Sequence, residues 1–212
     1  CGSYTGFTAN RIGGDATGNN QFSGKVDELR VYSRALSASE ISQLYSQGGG
    51  KLGTSPVQGL TNGLVGYWTF DGKNMTNGRM NDMSGRGNHA NFANIATTTF
   101  FKQGKIGQGG NFDMINDYVS IPYAGLDFER TDPFSMAIWV KADERISAGG
   151  WQAFLGRSTG GTTGNFFALC PGSAYSQLCA AKSIIFSGAA GSNHIAVSTA
   201  TNSYVPYFGK WT

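Results

Sequence analysis

Short runs that alternate apolar and polar residues recur along the whole chain, and turn residues separate nearly all of them. Each run has the length of one β-strand. We assign strands to residues 7–12, 22–32, 64–70, 88–92, 109–112, 118–121, 134–141, 152–157, 166–169, 183–186 and 194–198. The chain holds 32 glycines among 212 residues, and only 14% of its residues are charged, which suits a fold with many turns. The pattern predicts an all-β fold, an antiparallel β-sandwich or jelly roll.

One short helix is predicted, directly after the second of these strands. Ser37 and Glu40 have the spacing of a capping box, in which each side chain accepts a hydrogen bond from the other residue's backbone N–H. We expect Ile41, Leu44 and Tyr45 to be buried on one face of this helix. Three consecutive glycines follow and end it.

The composition changes after the helix. Residues 46–62, SQGGGKLGTSPVQGLTN, are rich in Gly, Ser, Thr and Pro and contain almost nothing to bury, so we predict a flexible linker. The linker divides the chain into residues 1–45 and residues 63–212. The first segment is too small to build a core of its own and must pack on something else.

Charge and hydropathy exclude two classes of partner. The formal net charge is +3, and the Lys and Arg residues are scattered along the sequence, so nucleic acid is not an expected partner. No stretch approaches the roughly 18 apolar residues that a helix needs to span a bilayer. The chain begins without a basic and apolar leader, and we expect any export signal to lie outside it.

The cysteines suggest an oxidising compartment. Cys170 and Cys179 bracket the loop CPGSAYSQLC, where a disulfide would join neighbouring strands; the alternative is two reduced thiols. Their spacing without a second Cys or His pair argues against zinc. Cys1 is left over, and the sequon at Asn74 permits glycosylation. The expected location is therefore extracellular or at the cell surface.

Four blocks after the linker carry a specific resemblance: GLVGYWTFDG, DMSGRGNHANF, GKIGQGGNFDMINDYVSIP and DPFSMAIWVKAD. In this order and at this spacing they resemble the opening of a bacterial LamG-type domain of the concanavalin A-like lectin/glucanase superfamily, which includes laminin G and pentraxin modules. Before the linker, FSGKVDELRVYSRALSASEI resembles the closing block of the same family. The resemblance implies a concanavalin A-like sandwich and covers nearly all the chain except the linker.

The closing block therefore precedes the opening block. The favoured interpretation is a window cut from a tandem array, in which residues 1–45 end one module and residues 63–212 form the first three quarters of the next. The alternative is a circular permutation, in which the first segment completes the fold of the second, in its own chain or in a neighbour. In either case an incomplete sheet would expose unpaired edges, which invite strand addition from another chain.

The resemblance also implies a calcium site, because several LamG-like and pentraxin modules hold Ca²⁺. The positions that match are Asp71, Asp82, Asn88 and Asp27, whose side chains offer the oxygen ligands that calcium prefers. The alternative is that Asp71 and Asp82 cap turns through their own hydrogen bonds. In the tandem interpretation Asp27 and Asp71 belong to different modules and do not share a site.

Aromatic residues near loops are the candidates for stacking on a sugar ring. They are Trp151, Tyr175, Tyr204 and Tyr207. Trp68 and Trp139 lie inside predicted strands, and we assign them to the core.

Catalysis is not expected. Glucanases of the superfamily present two carboxylates about 5 Å apart from one strand, usually in an E-x-D-x-x-E pattern, and this pattern does not occur here. Asp27 and Glu28 are adjacent, so we expect them on opposite faces of a strand. His89 and His194 have no evident nucleophile partner.

These observations predict a secreted, non-catalytic structural or adhesive repeat of a bacterial surface protein or extracellular filament. Its partners would be copies of itself or adjacent LamG modules. The alternative is a calcium-dependent, lectin-like module that binds surface glycans.

Overall fold

In a computed structural model, the chain folds into two antiparallel sheets with few short helices. The structure describes residues 7–8, 11–14, 21–48, 59–121, 126–128, 132–143, 152–158, 164–169, 184–190, 193–198 and 210–211. The strands are β1 (Phe7–Thr8), β2 (Arg11–Ile12), β3 (Ser23–Tyr32), β4 (Leu64–Trp68), β5 (Met75–Thr76), β6 (Arg79–Met80), β7 (Ala90–Ala93), β8 (Phe101–Gln103), β9 (Gln108–Asp113), β10 (Tyr118–Ser120), β11 (Asp127–Phe128), β12 (Ser135–Ala142), β13 (Gln152–Ser158), β14 (Gly164–Leu169), β15 (Ile184–Ala190) and β16 (Asn193–Ser198). The helices are α1 (Ala38–Gly48), α2 (Thr97–Phe100) and a 3₁₀ turn (Gly72–Asn74).

The two sheets form the predicted β-sandwich. The larger has the order β16-β15-β14-β13-β2-β10-β7-β6-β5. The smaller, which we call the five-stranded sheet, has the order β12-β3-β9-β8, with β4 also paired to β3. A short pair, β1 with β11, is separate from both. The predicted fold class, an all-β antiparallel sandwich, is therefore confirmed.

Strand β3 is the centre of the five-stranded sheet. It pairs with β12 along one side, and with β9 and β4 on the other. Its apolar residues Val26, Leu29 and Val31 are fully buried in the core. A strand from before the linker is thus hydrogen-bonded to three strands from after it. This pairing within one chain is the arrangement that the permutation alternative describes. The tandem division, with residues 1–45 and residues 63–212 in different modules of a longer protein, stays a prediction.

Aromatic rings fill the space between the sheets. Phe112 makes edge-on contacts with Phe22, Phe70 and Phe100, with ring centroids 5.1 to 6.5 Å apart. Trp68 is also fully buried, which confirms its assignment to the core, and its indole N–H is satisfied. This packing fixes the spacing of the sheets, and among the described residues helix α1 and Trp211 lie against the outer face of the five-stranded sheet.

Several local features differ from the sequence prediction, among them helix α2 and the short strands β8 and β11, which were not predicted. The run at 7–12 was predicted as one strand, but it forms β1 and β2, which pair with different partners. The hairpin β5–β6 was not predicted, although its Asn77-Gly78 turn, with φ of 53° and 72°, is a strong hairpin signal.

Helix α1 begins as predicted but buries less than predicted. The backbone N–H of Ser37 donates to Glu40 Oε2 at 2.8 Å, and the N–H of Glu40 donates to Ser37 Oγ at 3.3 Å, which confirms the capping box. Leu44 is buried, but Ile41 is 56% exposed and Tyr45 is 71% exposed. The predicted burial of Ile41 and Tyr45 is wrong because α1 packs on the sheet through Leu44, and the side of the helix that carries Ile41 and Tyr45 lies beside an open groove.

Candidate functional site

A groove of about 540 Å³ lies between α1 and β12 on the outer face of the five-stranded sheet. Ile41, Leu44 and Tyr45 of the helix form one side, and Trp139 is among the β12 residues of the other. Side chains of β3 also line it. The volume is within the range of pockets that hold small organic ligands, roughly 300 to 1,000 Å³.

A β-bulge in β3 shapes the groove. Arg30 pairs with Ala137 and Asp27 pairs with Trp139, so two residues of β3 oppose one residue of β12. The extra residue, Glu28, has φ of 55°. Val26 and Leu29 on either side of the pair both belong to the core, whereas Asp27 and Glu28 make their polar contacts outside it. The expectation that Asp27 and Glu28 point to opposite faces is therefore wrong, because the bulge interrupts the alternation.

Glu28, Arg30 and Tyr67 form a closed network at the groove. The Arg30 guanidinium donates to Glu28 Oε2 at 2.6 Å and to the Tyr67 hydroxyl at 2.9 Å, and that hydroxyl donates to Glu28 Oε2 at 2.7 Å. The Glu28 side chain is only 4% exposed, and burial raises its pKa. Burial likewise raises the pKa of Tyr67. The network holds polar atoms in fixed positions at the edge of an apolar groove.

Tyr45 presents an exposed ring whose position is fixed by Trp139. The two ring centroids are 5.4 Å apart, with a tilt of 33°. Gly48 lies against the same indole, so closely that a Cβ there would overlap the ring. Trp139 is 8% exposed, as its predicted packing role requires, but it packs on the outer face of the sheet rather than between the sheets.

Asp27 and Asp71, two of the predicted calcium ligands, hold one turn together. Asp27 Oδ2 accepts hydrogen bonds from the backbone N–H groups of Lys105 and Ile106, each at 2.8 Å, and Asp71 Oδ1 accepts one from Gln108 at 2.7 Å. Asp27 is fully buried, and its Oδ1 has no hydrogen-bond partner. Burial raises the pKa of Asp27 to about 7, and the charges of Glu28 and Asp71 contribute to the increase.

Asp82 and Asn88, the other two predicted ligands, close a different turn. The Asp82 carboxylate accepts from the backbone N–H groups of Tyr67, Ser84 and Asn88 and from the Ser84 hydroxyl, at 2.8 to 3.0 Å. These bonds are those of the turn-capping alternative. Within the part of the chain that the structure describes, no three acidic, His or Cys side chains gather closely enough to hold a metal ion. The calcium site stays a prediction.

The other predicted site residues lie outside the described residues. They are Trp151, Tyr175, Tyr204 and Tyr207 for a sugar ligand, and Cys170 and Cys179 for a disulfide. The residues that line the groove were not among the predicted site residues. Glu28 and Arg30 flank Leu29 in a predicted strand, and Tyr45 follows Ile41 by one helical turn, so the available signal was a polar strand face next to a helix.

The strand that carries the bulge lies in the part of the chain that matches a known family. Residues 3–42 match the Laminin_G_3 family model of the concanavalin A-like lectin/glucanases superfamily. This match supports a LamG-type module, as the sequence resemblance implied. Neither a curated protein nor a solved structure matches the chain significantly.

No helix in the described part of the chain is both long and apolar enough to cross a membrane. The longest helix among these residues, α1, has 11 residues.

Proposed function

We propose that this chain is a non-catalytic adhesive module of LamG type that binds a glycan in the groove between α1 and β12. One observation carries the proposal: an exposed, fixed aromatic ring, Tyr45, lies in the same groove as the network of Glu28 and Arg30. A pyranose ring has an apolar C–H face that stacks on an aromatic ring and hydroxyl groups that bond to fixed polar atoms. The groove offers both kinds of contact.

The polar network supports binding rather than catalysis. Both Tyr67 and Arg30 bond to the Glu28 carboxylate, so this group is already committed to structural hydrogen bonds. LamG-type modules are generally non-catalytic and extracellular, and we propose the same for this chain, on a bacterial surface or in a secreted protein.

A second candidate function is that of a repeating unit in an extracellular filament. It is favoured by one observation: among the described strands, β12 pairs only with β3. A strand paired on one side offers its free backbone groups to another chain, and head-to-tail addition of this kind generates a fibre. Electron microscopy of the native material tests this candidate, and monodisperse monomers at high concentration would contradict it.

Glycan binding is tested by screening the chain on a glycan array and titrating the best ligand into variants of α1. Tyr45→Ala removes the stacking surface, and we expect it to weaken binding by about tenfold, whereas Tyr45→Phe retains it. Gln43→Ala is the matched control, because Gln43 is an exposed residue of the same helix outside the groove.

Repeating the titration with EDTA and with Ca²⁺ tests the predicted calcium dependence. An array without any bound glycan, or equal affinities for Tyr45→Ala and the parent chain, would contradict the proposed site.

A further inference from the structure

Four lysines that are far apart in the sequence meet on the outer face of the five-stranded sheet. Lys25 is in β3, Lys102 is in β8, Lys105 is in the turn before β9, and Lys141 is in β12. We call this set the lysine face. The scattered Lys and Arg residues of the sequence gave no indication of it.

The strand register places these side chains on one side of the sheet. Lys141 pairs with Lys25, and Lys102 pairs with Gly109 of β9, and residues that pair directly point to the same side. Lys25 is one residue from Val26, which lies in the core, so Lys25 points outward. Gly110 points inward, since a Cβ there would meet core phenylalanines, and Gly109 therefore points outward with Lys25.

Lys105 extends the lysine face to the groove. Its ammonium group lies 4.7 Å from the centroid of the Trp139 ring, which lines the groove. Lys141 follows Trp139 by two residues on the same side of β12. The groove and the three lysines Lys105, Lys25 and Lys141 therefore lie on the same side of the sheet, and the Trp211 ring lies against Gly109 on that side.

The positive charges of this face have little compensation. None of the four lysines forms an ion pair with a described residue. Among the described residues, the hydrogen bond that a lysine side chain donates there runs from Lys25 to the carbonyl of Gln103, at 3.3 Å. Asp27 lies between them but is fully buried. Asp113 and Asp143 border the lysine face beyond Lys25, at the end away from α1. Asp113 accepts a hydrogen bond from the backbone N–H of Ile115, and Asp143 accepts one from the Ser23 hydroxyl.

We infer that the ligand of the groove is an acidic polysaccharide. A sugar unit stacks on Tyr45, and carboxylate or sulfate groups of the same chain contact Lys105, Lys25 and Lys141. The inference rests on the proposed glycan-binding function and names the chemical class of its ligand. Neutral glycans would gain nothing from the lysine face, whereas repeated anionic groups along one polymer match charges that lie on neighbouring strands, such as Lys25 and Lys141, whose backbones are about 4.8 Å apart.

Three polymers with one backbone test the inference: dextran, carboxymethyl-dextran and dextran sulfate of equal length. We expect the anionic polymers to bind at least tenfold more tightly than dextran at low ionic strength, and the difference to shrink at high salt. Lys25→Gln and Lys141→Gln are each expected to weaken binding of the anionic polymers by about twofold to fivefold. Arg79→Gln is the charge-matched control, because Arg79 is exposed on β6 of the other sheet. Thermal melting shows that each variant is folded.

The outcomes separate this inference from the proposed function. Equal binding of all three polymers, with a loss in Tyr45→Ala, retains the groove and overturns the lysine face. Tight binding of the anionic polymers that is unaffected by Tyr45→Ala retains the lysine face and overturns the groove.

Three further results would overturn the inference: no binding of either anionic polymer, an Arg79→Gln loss equal to the lysine losses, or equally tight binding of polyglutamate or single-stranded DNA of matched charge. Selective binding of carboxymethyl-dextran would support it with a uronate-type ligand, and selective binding of dextran sulfate would support it with a sulfated one.

Discussion

Replacing Asp27 with Asn tests whether the bulge of β3 buries an ionisable acid. Asn has nearly the same shape, and its carbonyl oxygen can still accept the hydrogen bonds from Lys105 and Ile106. It cannot ionise. The substitution therefore removes the pH dependence of this side chain while retaining most of its contacts with the turn.

The magnitude follows from the pKa of Asp27, which burial raises from 3.8 to about 7 in the folded chain. An unfolded Asp has a pKa of about 3.9. The folded state therefore binds this proton more tightly, and the stability that Asp27 contributes is fully present below about pH 4 and is lost as the pH rises through about 7. Three pH units at 1.36 kcal/mol each give a loss of about 4 kcal/mol.

Urea unfolding at pH 4, 6 and 8 measures this effect. The free energy of unfolding of the parent chain should fall, relative to that of Asp27→Asn, by about 4 kcal/mol between pH 4 and pH 8. Other carboxylates titrate in both proteins and cancel. Asp113→Asn, at an exposed acid, is the control for the exchange of an Asp for an Asn. Parallel stability curves for the parent chain and Asp27→Asn would refute the reasoning, and so would a parent chain that gains relative stability as the pH rises.

Two further substitutions test contacts around the site. Gly48→Ala places a methyl group where the Trp139 ring lies, and we expect it to destabilise the fold by about 1 to 3 kcal/mol and to shift the tryptophan emission; unchanged stability would show that α1 does not lie against this ring. Asp82→Ala leaves four hydrogen-bond donors without their acceptor and should lower the free energy of unfolding by about 3 kcal/mol or more, equally in EDTA and in Ca²⁺; a loss that appears only with Ca²⁺ would instead identify Asp82 as a metal ligand.

The local patterns of the sequence predicted the elements well. The strand expected at 134–141 is found at Ser135–Ala142, and the capping box of Ser37 and Glu40 forms as expected. Both features depend on neighbours within a few residues, because alternation and capping are properties of short segments.

The site depends on contacts between distant segments, which local patterns do not contain. The bulge at Glu28 exists only in the register between β3 and β12, which are about a hundred residues apart. Likewise, the exposure of Tyr45 follows from how α1 lies on the sheet. The lysine face arises because pairing brings Lys141 beside Lys25, and no sequence window contains both.

The central position of β3 also imposes an order on folding. Its three partner strands all follow it in the chain, and the last of them ends at Ala142. During synthesis or export that begins with the N-terminal end, the edge of β3 that pairs with β12 must stay open until more than a hundred further residues have emerged. Truncations between β9 and β12 leave this edge unpaired, and we expect them to aggregate rather than fold.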